Sequence, residues 1–211
     1  MVDEFIARSN EAAKAVETYS IRTELTGPGN TASSEPLKVN LKFNVSTNPM
    51  VFYARGESNA TVVELYGERK GDSYDVYEKA QIWSKLVLTP KQLREYMGIQ
   101  FEAAGALSEL DKEYFESIDV METDTEYVIK ARSHGDTSLV TGQTRDIRGS
   151  FEARYDKKSM HIKTQDYVER TQMDLGDGPV QVLLTLKSTY YGFNEGNPVV
   201  IPQSVIDAAS K

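Results

Sequence analysis

The segment "LKVNLKFNV", residues 37–45, alternates strictly between apolar and polar side chains. On an extended strand the apolar side chains would all point to one side, and the lysines and asparagines between them to the other. A strand with one dry and one wet face is typical of an antiparallel sheet with solvent on one side. The apolar positions of this segment are Leu37, Val39, Leu41, Phe43 and Val45.

The same alternation recurs along most of the chain and predicts further strands. They are "TYSIRTELTG" (18–27), "PMVFYARGE" (49–57), "ATVVELYGE" (60–68), "DSYDVYEK" (72–79), "QIWSKLVL" (81–88), "DTEYVIKARS" (124–133), "RGSFEARYD" (148–156), "MHIKTQDYVERTQMD" (160–174) and "PVQVLLTLKSTYYGF" (179–193). Turn residues such as Asn, Gly, Asp and Pro join most of them, so strands adjacent in sequence should pair as a meander. Residues 134–146 show no clear period and are interpreted as a loop.

Three segments have helical spacing instead. The first, "VDEFIARSNEAAKAV" (2–16), carries one apolar stripe that should pack on the sheet. The second (90–104) has a capping residue at Thr89 and Pro90 at its first position, and the third is "SELDKEYFESI" (108–118). The last two would form a helical pair inserted between strands.

These elements predict one α+β domain covering residues 1–211. About ten antiparallel strands must curl or close, and the helices need a surface to cover. We therefore expect a strongly curved antiparallel sheet, an unclosed β-barrel, with the N-terminal helix and the inserted helical pair over its concave face.

Composition excludes several classes of function. The net charge of −8 and the pI near 4.9 disfavour binding to nucleic acid or to an anionic bilayer surface. No apolar run is long enough to span a membrane. The chain has no cysteine, which fits a cytosolic or Gram-positive extracellular protein, or a start at Met1 that replaces an export signal ending in a lipid-bearing Cys.

Few residues are suited to catalysis, so we expect no enzyme, no cofactor and no metal site. His134 and His161 lack the spacing of metal ligands and are interpreted as exposed histidines without a function. Ser150 in "RGSFE" lies within a predicted strand, where a nucleophile elbow does not form. "GPGNTA" (27–32) and "DLGDG" (174–178) are read as turns, because a helix does not follow the first and the second lacks the oxygen ligands of a calcium loop.

The inserted helices carry more apolar surface than their length requires. Such a stripe is usually core, but a curved sheet under helices can also enclose a cavity for acyl chains. The residues of this stripe are Leu93, Tyr96, Met97, Phe101, Leu107, Leu110, Tyr114 and Phe115.

The order of elements resembles the lipoprotein-carrier superfamily of LolA, RseB, LppX and LprG, and within it the Gram-positive lipoproteins of the same fold. The similar segments are "EAAKAVETYSIRTEL", "SYDVYEKAQIWSKL", "EARYDKKSMHIKTQDY" and "YGFNEGNPVVIPQSVIDAA". The resemblance implies export, attachment to the membrane through a lipidated N-terminal Cys that is absent here, and a cavity for acyl chains. It also implies that Trp83 is at least half-buried and belongs to the ligand-binding set.

Two functional hypotheses remain open. The first is a noncatalytic extracytoplasmic lipoprotein domain that binds a lipid or another amphiphilic ligand between sheet and helices. The second is a cell-surface protein-interaction or sensing module with a filled interior and no ligand. In either case the chain's last segment should begin a short helix at Pro202, and Val205 and Ile206 should hold this helix against a sheet edge.

Overall fold

A computed structural model describes residues 2–28, 35–58, 61–97, 115–137, 144–174 and 179–210. The helices described are α1 (Val2–Lys14), α2 (Pro90–Met97) and α3 (Gln203–Ala209). The strands are β1 (Thr18–Gly27), β2 (Leu37–Thr47), β3 (Met50–Ser58), β4 (Val62–Lys70), β5 (Ser73–Lys79), β6 (Trp83–Leu88), β7 (Ser117–Glu122), β8 (Glu126–Thr137), β9 (Thr144–Asp156), β10 (Ile162–Asp174) and β11 (Pro179–Tyr191).

All of these strands form one antiparallel sheet. Their order is β6-β5-β4-β3-β2-β1-β11-β10-β9-β8-β7. The sheet therefore consists of two meanders that meet where the first strand pairs with the last, with Ile21 opposite Tyr190. Because β6 and β7 lie at opposite ends of this order, the sheet is unclosed, and residues 89–116 connect its two edges. The predicted meander and unclosed antiparallel sheet are confirmed.

The alternation in the sequence sorts each strand into two faces. We call the face on which α1 packs the inner face and the opposite one the outer face. The inner face carries the largest group of buried apolar side chains, including Phe43 of β2, Ile129 of β8 and Tyr155 of β9. Phe5 of α1 reaches this group, with ring centroids 4.9 Å from Tyr155 and 5.5 Å from Tyr127.

The C-terminal segment crosses the outer face. Asn194 joins it to the end of α1, because its side-chain oxygen accepts from the amides of Glu17 and Thr18 and its amide group donates to the carbonyl of Ala15. The segment ends in α3, which begins after Pro202 and contacts β5 and β6. Val205 is buried there, so the predicted helix at the edge of the sheet is present.

Three details differ from the sequence prediction. Residues 117–118 belong to the edge strand β7 and not to a helix, and β7 raises the count above the expected ten. The rest of that predicted helix lies in the residues not described, apart from positions 115 and 116. The segment 134–146 is not all loop, because β8 continues to Thr137 and β9 begins at Thr144, with these two residues paired.

Candidate functional site

Burial along the inner face changes from one end of the sheet to the other. On β2, Val45 and Phe43 are 1% and 0% exposed, whereas Leu37 at the other end of the same face is 41% exposed. Leu41 and Val39 between them are half-buried. On the strands from β1 to β4 the inner face is therefore closely covered at one end and only partly covered at the other, whereas Glu169 of β10 and Leu184 of β11 are buried.

The covered end is the one on which α1 lies. Phe5 packs between Tyr127 and Tyr155, and the Arg8 guanidinium donates to the Tyr127 hydroxyl at 3.0 Å. The Tyr19 ring stacks between Tyr190 and Phe193 across the join of the two meanders. Burial raises the pKa of Tyr19, as expected for a phenol removed from water. We call this region the packed end.

The opposite end lies at the β1–β2 and β3–β4 connections. Here the inward side chains of neighbouring strands are half-buried or exposed, although their partners further along the same strands are fully buried. Exposed apolar surface that is contiguous across strands is typical of a binding surface. We call this group the hairpin-end patch; it consists of Leu25, Leu37, Val39, Leu41 and Val63.

A buried carboxyl group lies beside this patch. Glu169 of β10 is on the inner face, opposite Leu184 of β11 and Gly149 of β9, and is 0% exposed. The Tyr167 hydroxyl donates to its Oε2 at 3.0 Å. Burial is the main cause that raises the pKa of Tyr167, and the nearby carboxyl group adds to it. The hydroxyl is therefore held in its protonated, donating form.

Leu93, Tyr96 and Phe115 are the residues of the predicted helical stripe whose side chains the structure describes. Leu93 of α2 is buried in the core of the inner face, and Phe115 packs on Phe151 with ring centroids 5.4 Å apart. Tyr96 is 44% exposed and hydrogen-bonds Glu78, an interaction that helps to raise the pKa of Tyr96, although burial is the larger cause. The side chain of Met97, and residues Phe101, Leu107, Leu110 and Tyr114, lie outside the described residues.

Trp83 is half-buried, as expected, but it lies on the outer face. It pairs with Lys79, and its ring is 5.9 Å from that of Tyr66, which in turn is 4.9 Å from that of Tyr53. These side chains point away from α1. Trp83 is therefore separated by the sheet from Leu93 and Phe115, which pack on the inner face. The sequence pattern did not distinguish the two faces of the edge strand β6.

Two depressions occur on the outer face of the described residues. One, of about 410 Å³, lies beneath the C-terminal segment and is lined partly by Tyr53, Tyr66 and Asn44. The other, of about 560 Å³, lies over β7–β10. Charged side chains of both signs line the second, and Lys130 and Glu152 pair across it at 3.6 Å. Both are open to solvent. The charged side chains make the second less suited to an acyl chain than the hairpin-end patch, whereas the lining of the first is mainly apolar and includes Val199 and Val200.

The histidines and possible metal ligands offer little for chemistry. His161 is half-buried, contrary to the expected exposure, because its ring stacks on Phe193 at 4.3 Å. Burial lowers its pKa below 6.5. The side chain of His134 lies outside the described residues. Within the described part of the chain, no group of three or more His, Asp or Glu side chains is placed to hold a metal. The helices described there are also too short or too polar to span a bilayer.

Sequence reasoning overlooked the hairpin-end patch and Glu169 as a site. The alternation placed Leu37, Val39 and Leu41 on one face but did not show that these side chains stay partly accessible. Glu169 shares the parity of the inward residues Gln165 and Tyr167, but counting from the buried Ile162 places it on the outer face, because the register shifts between Ile162 and Thr164. A carboxylate at an inward position of a strand is a signal in its own right.

Similarity to known proteins was found with one family profile and with several solved structures. The sequence profile of a family of unknown function, DUF6612, matches residues 1–168. No curated protein matches the chain significantly. Solved structures similar to it include a LolA superfamily protein from Nitrosomonas europaea, with 8% identity, 96% of each chain covered and a TM-score of 0.34.

Two further solved structures are similar over nearly the whole chain. A putative outer membrane lipoprotein-sorting protein domain from Vibrio parahaemolyticus has 11% identity, with 96% of this chain and 95% of that chain covered and a TM-score of 0.34. A DUF1329 family protein from Desulfovibrio piger has 9% identity, with 93% and 94% covered and a TM-score of 0.38. The DUF6612 profile matches most of the length of this chain, and the chain therefore belongs to the DUF6612 family.

Proposed function

We propose that the protein is a noncatalytic extracytoplasmic lipoprotein domain that binds a lipid or another amphiphilic ligand between the sheet and its helices. The observation that carries the proposal is the burial gradient on the inner face. The strands continue past the packed end with inward Leu and Val side chains, yet these side chains stay partly accessible. Full burial of a Val or Leu side chain gains about 1.5–3 kcal/mol relative to full exposure, and these half-buried side chains obtain only part of that gain. An apolar ligand would supply some of the remainder.

The hairpin-end patch has the chemistry of an acyl-chain site. Its members are aliphatic, they lie on neighbouring strands, and their side chains share one face. Neighbouring strands are about 4.8 Å apart, so the patch extends over about 15 Å across four strands. Leu93 of α2, which is buried in the core of the inner face, would lie on the opposite side of the ligand.

The extracytoplasmic location is part of the same proposal. It is supported by the resemblance of the sequence to the LolA-like lipoproteins of Gram-positive bacteria, in which a lipidated N-terminal Cys anchors the domain. We expect the codons upstream of Met1 to encode a short apolar segment that ends in small residues and a Cys. A natural start at Met1 with no upstream signal would contradict export.

A matched pair of variants on β2 tests the binding site. Val39→Trp adds a large side chain to the hairpin-end patch, and Asn40→Trp adds the same side chain to the outer face one residue away. An environment-sensitive fluorescent fatty acid is titrated into both variants and the wild type. We expect Val39→Trp to weaken binding of the fatty acid about tenfold or more and Asn40→Trp to leave it unchanged. Equal affinity of all three proteins would refute the site.

The alternative function is a cell-surface protein-interaction or sensing module with no ligand. Large apolar side chains that are exposed near β6 and in the C-terminal segment favour it: Ile82 is 79% exposed and Val200 is 74% exposed. This module would bind no fatty acid, and Val39→Trp would then change neither fluorescence nor function. The same titration therefore separates the two hypotheses.

A further inference from the structure

Glu169 has one carboxyl oxygen that lacks a partner. The side chain is fully buried, and Tyr167 supplies the hydrogen bond to Oε2. Oε1 is also removed from solvent, and no described residue donates to it. Nearly all buried polar atoms in folded proteins have a hydrogen-bond partner, and leaving one without costs roughly 1–3 kcal/mol. An oxygen in this position is therefore available to a donor that the chain itself does not supply.

The strand next to Glu169 leaves space for the polar group. Gly149 lies directly opposite Glu169, and a Cβ there would be 2.3 Å from Ser133 Oγ and 2.6 Å from the Tyr167 hydroxyl oxygen. Only glycine lets these two hydroxyl groups lie above this position. The hydroxyl oxygens of Ser133 and Tyr167 are 3.5 Å apart, so three oxygen-bearing side chains meet at this place on the inner face.

The same row of the sheet connects Glu169 to the hairpin-end patch. Leu184 lies opposite Glu169, and the Leu184 side chain in turn closes over Gly27 of β1, where a Cβ would be 2.9 Å from it. Gly27 pairs with Leu37 of the patch. Two strand spacings, roughly 10 Å, separate Glu169 from β1. Leu184 is only 5% exposed, so an alkyl chain on the patch reaches Oε1 along this row where the Leu184 side chain turns aside.

We infer that Glu169 selects ligands whose polar end carries a hydrogen-bond donor, namely a primary ammonium or a hydroxyl group, over ligands whose polar end only accepts. This inference rests on the proposed function, because it concerns a ligand on the hairpin-end patch. A carboxyl oxygen accepts a hydrogen bond from either donor, and the bond from an ammonium group is strengthened by the charge of the donor.

Three ligands that differ only at the polar end test the selection. Dodecylamine, dodecan-1-ol and dodecyl methyl ether have the same alkyl chain, and the ether is the alcohol without its donor. Each ligand is titrated, below its critical micelle concentration, into the wild type loaded with the fluorescent fatty acid. The loss of fluorescence measures displacement. We expect the amine and the alcohol to bind about tenfold or more tightly than the ether.

Two variants assign this preference to Glu169. Glu169→Met keeps the length of the side chain and removes both oxygens, so the three ligands should bind with similar affinity. Glu24→Met, on the exposed outer face of β1, is the control and should keep the wild-type order of affinities. Should Glu169→Met fold poorly, Glu169→Gln replaces one carboxyl oxygen with an NH2 group, which donates instead of accepting. The preference for the amine and the alcohol over the ether should then shrink.

The outcomes separate this inference from the proposed function. If all three ligands bind the wild type with equal affinity, Oε1 is satisfied by water and the inference is wrong, while binding at the patch remains. If the order of affinities is the same in the wild type and Glu169→Met, another residue makes the selection and the inference is also wrong. If neither the fatty acid nor any of the three binds the wild type, the proposed function fails and the inference fails with it.

Discussion

The two ends of the inner face are made by the same strands and yet differ in how they are filled. At the packed end, Phe43, Phe52 and Tyr155 are each at most 1% exposed, and Phe5 of α1 packs on Tyr155. At the hairpin end, aliphatic side chains stay partly accessible. The strand alternation is equally regular at both ends. What differs is how closely the side chains are covered, and this separates a core from a candidate binding surface.

The largest expected effect is the difference between two truncations on β2. Phe43→Ala should lower the free energy of unfolding by about 3–5 kcal/mol, because it leaves a cavity in a closely packed region. Leu41→Ala, two residues away on the same face, should cost only about 1 kcal/mol, because its side chain is already partly in water. Urea denaturation measures both, and Lys42→Ala on the outer face should change stability by less than about 0.5 kcal/mol. Equal losses at positions 43 and 41 would mean that both ends are core.

Substituting a glycine with alanine at each end of the inner face compares how much extra volume the two ends tolerate. A Cβ at Gly67 would lie 2.2 Å from Cζ of Phe52 at the packed end, whereas a Cβ at Gly56 would lie 3.0 Å from Cδ2 of Leu41 at the hairpin end. The Phe52 ring is fully enclosed, so Gly67→Ala should destabilise the protein by about 1–3 kcal/mol. Leu41 has room to rotate, and Gly56→Ala should cost clearly less. Thermal denaturation of the two variants tests this, and a larger loss for Gly56→Ala would contradict it.

The strands could be predicted from the sequence because one face of the sheet is exposed to solvent and the other is not. Alternation in segments such as residues 37–45 records which side chains are inward, and turn residues mark where each strand ends. The edge strand β7 was missed because its inward residues, Ile118 and Val120, are few and follow a segment with helical spacing. Its pairing with β8 is a tertiary contact, which local pattern does not record. The same holds for His134 to Thr137, which continue β8 by backbone pairing without apolar alternation.

The candidate site was less predictable than the fold. The sequence directed attention to the apolar side chains of the helix that begins at Pro90. In the structure, the partly accessible apolar side chains of the candidate site lie on the sheet. Whether Leu41 is core or surface depends on what covers it, and that cover comes from residues distant in sequence. Trp83 illustrates the same limit, since the register of an edge strand decides its face. Glu169 shows the limit once more, because the register shift between Ile162 and Thr164 decides which face it lies on.

A smaller effect concerns pH at the packed end. Stacking on Phe193 partly buries His161, and burial lowers its pKa below 6.5. The folded protein therefore favours the neutral imidazole, so this contribution to stability is present above pH 6.5 and is lost as the pH falls through the lower folded pKa. An NMR titration should place the midpoint of His161 below 6.5, and Phe193→Leu should move it upward. A midpoint at or above 6.5 in the wild type would show that the stacking does not shield the ring.

The smallest expected effect is an unchanged signal from Trp83. This residue is the only tryptophan in the chain, and its ring contacts Tyr66 on the outer face. A nonfluorescent fatty acid that binds the hairpin-end patch is separated from Trp83 by the sheet, so the emission maximum should stay the same as the ligand is added. If the ligand instead enters the outer depression lined by Tyr53 and Tyr66, the surroundings of Trp83 change and its emission should shift. Tyr66→Leu provides the positive control, because removal of the neighbouring ring should shift the emission without any ligand. A shift on adding fatty acid to the wild type would move the site from the inner face to the outer one.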